Sequence, residues 1–357
     1  FLFQKGEWRS FCSFFFSRVR NRNPSPSSSI GTTLAMVNPT HPHQAPIEPT
    51  KHADLPVVNL RDAEAKRVIV KACQEYGFFS LVNHGVPPEI IREMECLAEE
   101  FFELPLSVKE KASPLDPFGY GNKNIGPNGD VGWIEYLLFH ANPQIISERT
   151  CSTFGDKSEN FRSAMTAYLL EVKRVARDVL ELIGEGMGIG RKNSMSKMLE
   201  NEQSDSYFRI NHYPPCPSAT QSLNGRNLIG FGEHTDPQII SVLKSNNTCG
   251  LQVCLKDGSW ASVPPDEVSF FINVGDAMQV MTNGRFRSIR HRVIAGNARS
   301  RISMVYFVGP PLHEKIRPLL PLGEGDECRY KEFTWSEYKS SAYKTRLADN
   351  RLRMFEK

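Results

Sequence analysis

From about residue 205 the chain breaks into short runs of β-branched and aromatic residues, with turn signals every 8–12 residues and no helical pattern between them. The runs are Tyr207–Tyr213, Ile239–Leu243, Leu251–Leu255, Trp260–Val263, Ser269–Val274, Met278–Met281, Ser288–Ala295 and Ile302–Val308. Asp257-Gly258 and Asn283-Gly284 are turn pairs between them. Eight short strands without intervening helices fit a double-sheet barrel of the jelly-roll or cupin-like kind.

The preceding half reads differently. Leu55–Leu60 and Gly77–Val82 are short apolar strands, the second closed by Asn83-His84-Gly85. Pro87-Pro88 opens a helix through Phe102, with Ile91, Met94, Leu97, Ala98, Phe101 and Phe102 at helical spacing. Glycines and prolines punctuate 114–130, which reads as loop. A long amphipathic helix runs from about 160 to 187 and ends in Gly184-Glu185-Gly186-Met187-Gly188-Ile189-Gly190. That run closes a helix instead of opening one, so it is a C-cap and not a dinucleotide motif.

The expected class is α+β: a double-stranded β-helix (jelly-roll/cupin-like) barrel core with an N-terminal helical flanking region and supporting helices. The expected divisions are a disordered leader and tail over 1–53, a helical and strand region over 54–155, and a long helix with its connection over 156–203. The barrel follows over 204–310, then a C-terminal helical extension over 311–357.

With 357 residues, 40% of them hydrophobic, the chain can bury a core without disulfides or a structural metal. No stretch approaches 18 consecutive apolar residues, so no membrane span is expected. Of the formal charge of +3, residues 1–35 alone carry +4, five cations against one anion, which leaves −1 on the rest. A neutral body lacks the basic field that holds nucleic acid. The eight cysteines form no C-x-x-C pair and read as free thiols in a reducing compartment. The leader is rich in Ser and Arg, as a plastid transit peptide is. The favoured reading is that Met36 is the true start and that the protein works in the cytoplasm, with access to the nucleus open.

The chemistry lies in three same-face polar pairs. His234 and Asp236 can present an imidazole and a carboxylate to one point, and His291, in the apolar strand Ile289–Ile294, can complete the set. Two His and one carboxylate leave three coordination positions open, the arrangement of non-haem Fe(II) oxygenases. Arg301 and Ser303 share a strand face and suit a carboxylate held in a dry pocket. Asn211 and Tyr213 form the third pair: Tyr213 can add a hydroxyl to that carboxylate, and Asn211 an amide near the metal. His84 and His212 read as structural histidines, and Cys249 and Cys254 as unpaired packing thiols.

These residues stand within longer motifs. Asn211-x-Tyr213-Pro-Pro-Cys, Gly232-Glu233-His234-Thr235-Asp236, Gly250-Leu251-Gln252-Val253, Asp257-Gly258-x-Trp260, Asn273-Val274-Gly275-Asp276, Ser288-Ile289-Arg290-His291-Arg292-Val293 and Arg301-x-Ser303 appear in that order. Together they resemble the plant 2-oxoglutarate/Fe(II)-dependent dioxygenases over roughly 54–340. Gly119-Tyr120-Gly121-Asn122-Lys123, Gly132–Leu138, Pro237–Leu243 and Met281–Phe286 look like gibberellin 2-oxidases of the C19-gibberellin type. The resemblance implies Fe(II) on His234, Asp236 and His291, with 2-oxoglutarate on Arg301, Ser303, Tyr213 and Asn211. It also implies O2 as oxidant, ascorbate as reductant, and Arg301 as the one residue of catalytic standing. The implied reaction is 2β-hydroxylation that inactivates a gibberellin. Tyr120, Asn122, Lys123, Trp133 and Tyr136 are the expected substrate contacts. No nucleic acid, membrane or obligate protein partner is expected. The rival readings are another dioxygenase of the family, either a different gibberellin oxidase or one acting on a flavonoid or a small acid, or a non-catalytic ligand-binding module.

Overall fold

The computed structural model describes residues 44–46, 51–111, 118–125, 128–142, 145–146, 158–189, 195–215, 226–295, 299–319 and 327–357. The leader, Met36 and residues 114–117 of the expected loop lie outside them. The first half runs β1 (Gln44–Pro46), β2 (Lys51–His52), β3 (Val57–Asn59), α1 (Ala65–Glu75), β4 (Phe78–Val82), α2 (Pro88–Glu103) and α3 (Leu106–Lys111). It continues with β5 (Gly119–Asn124), β6 (Val131–His140), α4 (Ser158–Gly186) and α5 (Ser196–Glu200). The second half supplies β7 (Tyr207–Tyr213), β8 (Arg226–His234), β9 (Ile240–Ser245), β10 (Leu251–Cys254), β11 (Trp260–Ser262) and β12 (Phe270–Val274). Then come α6 (Asp276–Met281), β13 (His291–Ile294), β14 (Arg301–Val308), β15 (Lys315–Ile316), β16 (Phe333–Thr334) and α7 (Trp335–Ala342).

Two sheets form the barrel. The larger has eight strands in the order β3-β4-β12-β9-β14-β7-β6-β5, and the smaller has six in the order β1-β8-β13-β10-β11-β2. Every pairing is antiparallel except β3 with β4 and β2 with β11. The inner faces share one core: Phe78, Tyr136, Tyr213 and Phe271 from the larger sheet pack with Phe231, Leu251, Val253 and Val293 from the smaller. The outer face of the larger sheet carries a second core, where Phe208, Ile210, Val242, Ile272, Ile302 and Met304 meet the α4 stripe of Met165, Val172, Val175 and Val179. A sheet buried on both faces produces near-continuous apolar runs, which is why Phe270–Val274 reads so densely. Period-2 alternation then sorts the residues. On β14, Ile302 and Met304 turn to the helices, and Arg301 and Ser303 turn into the barrel.

Three readings of the sequence need correction. Residues 119–124 are the strand β5, not loop. Its glycines mark a close approach and not a turn: a Cβ on Gly121 would run into the Tyr136 ring across the ladder. The strand β8 went unread for the same reason. A Cβ at Gly230 would stand 2.7 Å from the Tyr213 ring, so the barrel demands glycine inside that strand. Met278–Met281 belongs to the short helix α6, in which Ala277, Met278, Val280 and Met281 are all buried. An apolar run that short carries no periodicity to separate strand from helix. The glycine-rich end of α4 does act as a C-cap: Gly188 adopts a φ of 69° and Ile189 N–H bonds the Gly184 carbonyl. Among the described residues no helix is long and apolar enough to cross a membrane.

Candidate active site

Strands β8 and β13 pair so that His234, the last residue of one, stands directly opposite His291, the first residue of the other. Their ring centroids are 4.2 Å apart. Each Nδ1 faces a backbone carbonyl, Gly232 at 2.7 Å for His234 and Ile289 at 3.2 Å for His291. A carbonyl only accepts, so both Nδ1 atoms donate, and in the neutral ring each Nε2 then presents its lone pair. Each Nε2 lies 3.7 Å from Asp236 Oδ1. The ligand atoms of the three residues fall within 4.8 Å of one another.

Asp236 comes to this point by a different route from the one its spacing suggests. The strand ends at His234, and Asp236 sits in the irregular segment beyond it. Strand alternation therefore does not aim its carboxylate; hydrogen bonds do. Oδ2 accepts from Ser241 Oγ and Asn273 Nδ2, both at 2.6 Å, which leaves Oδ1 turned toward the imidazoles. Asp276 N–H holds the Asp236 carbonyl at 2.7 Å. Gly275 beside it has no room for a Cβ, which would strike the Gln238 carbonyl. Burial pushes the Asp236 carboxyl up, but the two imidazoles and the two hydrogen-bond donors outweigh it and hold the group below its ordinary value. Burial and the neighbouring His291 hold His234 well below its ordinary value, hence neutral. One carboxylate with two neutral-side imidazole lone pairs is a donor set that fits one Fe(II) ion on a single face.

Thr235, between the two ligating positions, is clasped from behind. Its hydroxyl donates to Asp276 Oδ2 at 3.0 Å, which also accepts from the Tyr338 hydroxyl of α7. Arg351 Nη1 donates to the Thr235 carbonyl at 3.1 Å.

The second polar set lies on the larger sheet. In the β14–β7 ladder Arg301 stands opposite Tyr213 and Ser303 opposite Asn211. Arg301 is 3% exposed, its guanidinium 5.4 Å from the Tyr213 ring centroid. Its Nε and Nη1 find no hydrogen-bond partner among the described residues. Burial draws its pKa below the ordinary value. Two orphan donors on a buried cation are costly unless an anion completes them, and a carboxylate has the paired acceptors to do so.

The five expected substrate contacts do not share one surface. Tyr120 stands opposite Leu137 and turns to the helix side, where its hydroxyl donates to Glu135 Oε2 at 2.6 Å. Its loop reading gave no alternation to place it; as part of a strand it belongs to the outer core. Tyr136 faces the barrel, its hydroxyl bonded to the Asn124 carbonyl at 3.0 Å. Trp133 Nε1 donates to the Pro214 carbonyl at 2.9 Å. Asn122 is half-buried, and Lys123 is exposed with a φ of 61°. The sequence reading gave no role to Ser241 and Asn273. Asn273 is the lone polar residue of β12, Ser241 shares β9 with Lys244 and Ser245, and the ladder pairs the two directly.

Comparison with known proteins adds three findings. Residues 204–310 match the 2OG-Fe(II) oxygenase superfamily, and residues 54–154 match the family described as non-haem dioxygenase in morphine synthesis N-terminal. The chain is 58% identical to the gibberellin 2-beta-dioxygenase of Phaseolus coccineus, over 85% of this chain and 91% of that protein. It is 59% identical to gibberellin 2-beta-dioxygenase 2 of Arabidopsis thaliana, over 86% and 89% respectively. Among solved structures, JOX2 in complex with 2OG, Fe and JA shares the fold at a TM-score of 0.75 and 24% identity, covering 88% of this chain and 93% of that one.

Proposed function

The chain belongs to the 2OG-Fe(II) oxygenase superfamily, and on that premise we propose that it hydroxylates C19 gibberellins at C-2 and so inactivates them. The observation that carries the chemistry is the orphaned Arg301 guanidinium across the barrel from a three-ligand face with neither Nε2 nor Oδ1 otherwise engaged. The substrate class rests on relatives at 52–59% identity, all named gibberellin 2-beta-dioxygenases.

In this reading His234, Asp236 and His291 hold Fe(II), and Arg301, Ser303 and Tyr213 hold the far carboxylate of 2-oxoglutarate, with Asn211 alongside. Bound Fe(II), with 2-oxoglutarate, O2 and ascorbate, supplies the redox chemistry that couples decarboxylation to hydroxylation. The side chains provide geometry and a dry cavity; none has to act as a general acid or base. Ser241 and Asn273 fix the rotation of the Asp236 carboxylate, and the Gly232 and Ile289 carbonyls fix the tautomers of the two imidazoles. The enzyme in this proposal works in the cytoplasm on a small molecule alone, without nucleic acid or an obligate protein partner.

Purified protein supplied with Fe(II), 2-oxoglutarate and a gibberellin panel should release succinate and a singly hydroxylated C19 product, read by mass spectrometry. Turnover of a flavonoid with C19 gibberellins untouched would overturn the substrate reading and leave the iron chemistry standing. Failure to release CO2 from labelled 2-oxoglutarate under any condition would favour a binding module instead.

A further inference from the structure

Arg301 is not the only cation inside the barrel with an unmet donor. Arg209 lies on β7, on the same face as Asn211 and Tyr213, with Leu138 of β6 and Val305 of β14 as its ladder neighbours. Its guanidinium carbon sits 3.8 Å from the Tyr136 ring centroid and 5.0 Å from that of Phe231. Phe231 in turn stands 4.4 Å from the His234 ring, so the cation is one aromatic ring away from the metal ligands. Nε donates to Asn211 Oδ1 at 2.7 Å. Nη2 is buried and has no partner among the described residues, and no described carboxylate pairs with the group. Burial draws its pKa below the ordinary value, as it does for Arg301.

The two cations are rooted on well-separated rungs of the same ladder. The β14 partners of Arg209 and Tyr213 are Val305 and Arg301, four residues apart, or about 13 Å at the rise of a strand. The five-carbon chain of 2-oxoglutarate separates its carboxyl carbons by only about 5 Å. A co-substrate with its far carboxylate on Arg301 and its other end at the metal face leaves neither end for Arg209. Its surroundings of Tyr136, Phe231, Leu138 and Val305 are apolar, which suits a rigid hydrocarbon skeleton bearing a single anion.

We propose that Arg209 anchors the substrate's carboxylate, a role that rests on the gibberellin reading above and makes this residue the determinant of free-acid specificity. A stack on Tyr136 alone would explain the position of the guanidinium but not the buried, unmet N–H. The sequence reading looked for this contact in the 119–138 segment; the structure offers it on a barrel strand.

The test is equilibrium binding to the Fe(II)- and 2-oxoglutarate-loaded protein without O2, by calorimetry. The two probes are a C19 gibberellin free acid and its methyl ester. Wild type should prefer the acid at least ~10-fold, as expected for a charge-assisted contact in a dry pocket. In Arg209→Met the acid should fall to the level of the ester, giving a ratio near unity, while the ester is held as before. Affinity for 2-oxoglutarate should stay within ~2-fold, and Arg209→Lys should restore part of the preference. Should Arg209→Met fail to fold, Arg209→Gln gives the same ratio with the stack position filled. An Arg209 variant that keeps the full acid preference overturns the assignment. So does a wild type that binds acid and ester equally. A wild type that binds 2-oxoglutarate but neither gibberellin overturns the substrate reading itself, which is a different and recognisable failure.

Discussion

The eight-stranded sheet buries charged groups on both faces, yet the two faces treat them differently. On the helix side Glu135, 7% exposed, accepts from Lys109 Nζ at 2.7 Å, the Tyr120 hydroxyl at 2.6 Å and His212 Nδ1 at 2.7 Å. His212 is in turn bonded to Ser300 Oγ at 3.1 Å, and Lys109 also donates to the Phe102 carbonyl. That cluster is closed by the protein itself. On the barrel side Arg301 is buried and Arg209 partly buried, and each leaves a buried N–H without a partner among the described residues. Burial alone therefore does not distinguish structure from function. A buried charge completed by its own chain belongs to the fold, and one left incomplete has donors to offer a ligand.

The contrast can be broken or sharpened by mutation. The largest effect should come from the metal face. His234→Ala, Asp236→Ala or His291→Ala should reduce coupled turnover by more than the ~10–100-fold expected for loss of an outer partner, with little change in melting temperature. A variant that lost one of these groups and kept near-normal turnover would remove the ligand assignment.

Glu135→Ala should do the reverse: cost about 3–5 kcal/mol of stability by stranding Lys109 and His212, and leave the 2-oxoglutarate KM of the folded fraction unchanged. The closed cluster also has a pH signature. Burial raises the Glu135 carboxyl, but hydrogen bonds from His212, Lys109 and Tyr120 outweigh it and depress the pKa below its ordinary 4.5. A depressed acid contributes stability above its unfolded value and loses it as pH falls through the lower, folded value. Urea midpoints should drop below pH 4.5 in wild type and drop less in Glu135→Gln.

Arg301→Lys keeps the charge and loses the fork. It should raise the 2-oxoglutarate KM by the equivalent of about 1.5–3 kcal/mol, and the KM of the hydroxylated substrate far less. Equal effects on both substrates would mean that Arg301 belongs with Glu135 as structure. The smallest effect is expected for Ser241→Ala, which removes one of the two donors to Asp236 Oδ2 and should weaken iron retention by ~10-fold, measured by competition with a chelator.

What could be read in advance followed the physics of each segment. Arg301 with Ser303, and Asn211 with Tyr213, were legible because long central strands obey strict alternation. The His234–Asp236 pair was legible as a motif, though the loop after β8 places Asp236 through Ser241 and Asn273. Strands β5 and β8 escaped because Gly121 and Gly230 sit under tyrosine rings, a tertiary demand that looks locally like a turn. Tyr120 was misdirected as a consequence. Arg209 escaped because a single arginine in a strand carries no pattern; only its unmet Nη2 sets it apart.

The clasp on Thr235 has a consequence for biosynthesis. The segment carrying Asp236 is tied by Arg351, 116 positions later, and by Tyr338 through Asp276. A nascent chain whose residues 338–351 are still within the ribosome therefore has both imidazoles on a finished ladder and the Asp236 carboxylate on Ser241 and Asn273, but lacks the Arg351 tie on the Thr235 backbone. A truncation just before Arg351 should therefore yield a folded barrel that gives up its metal more easily than the full chain, measured by competition with a chelator.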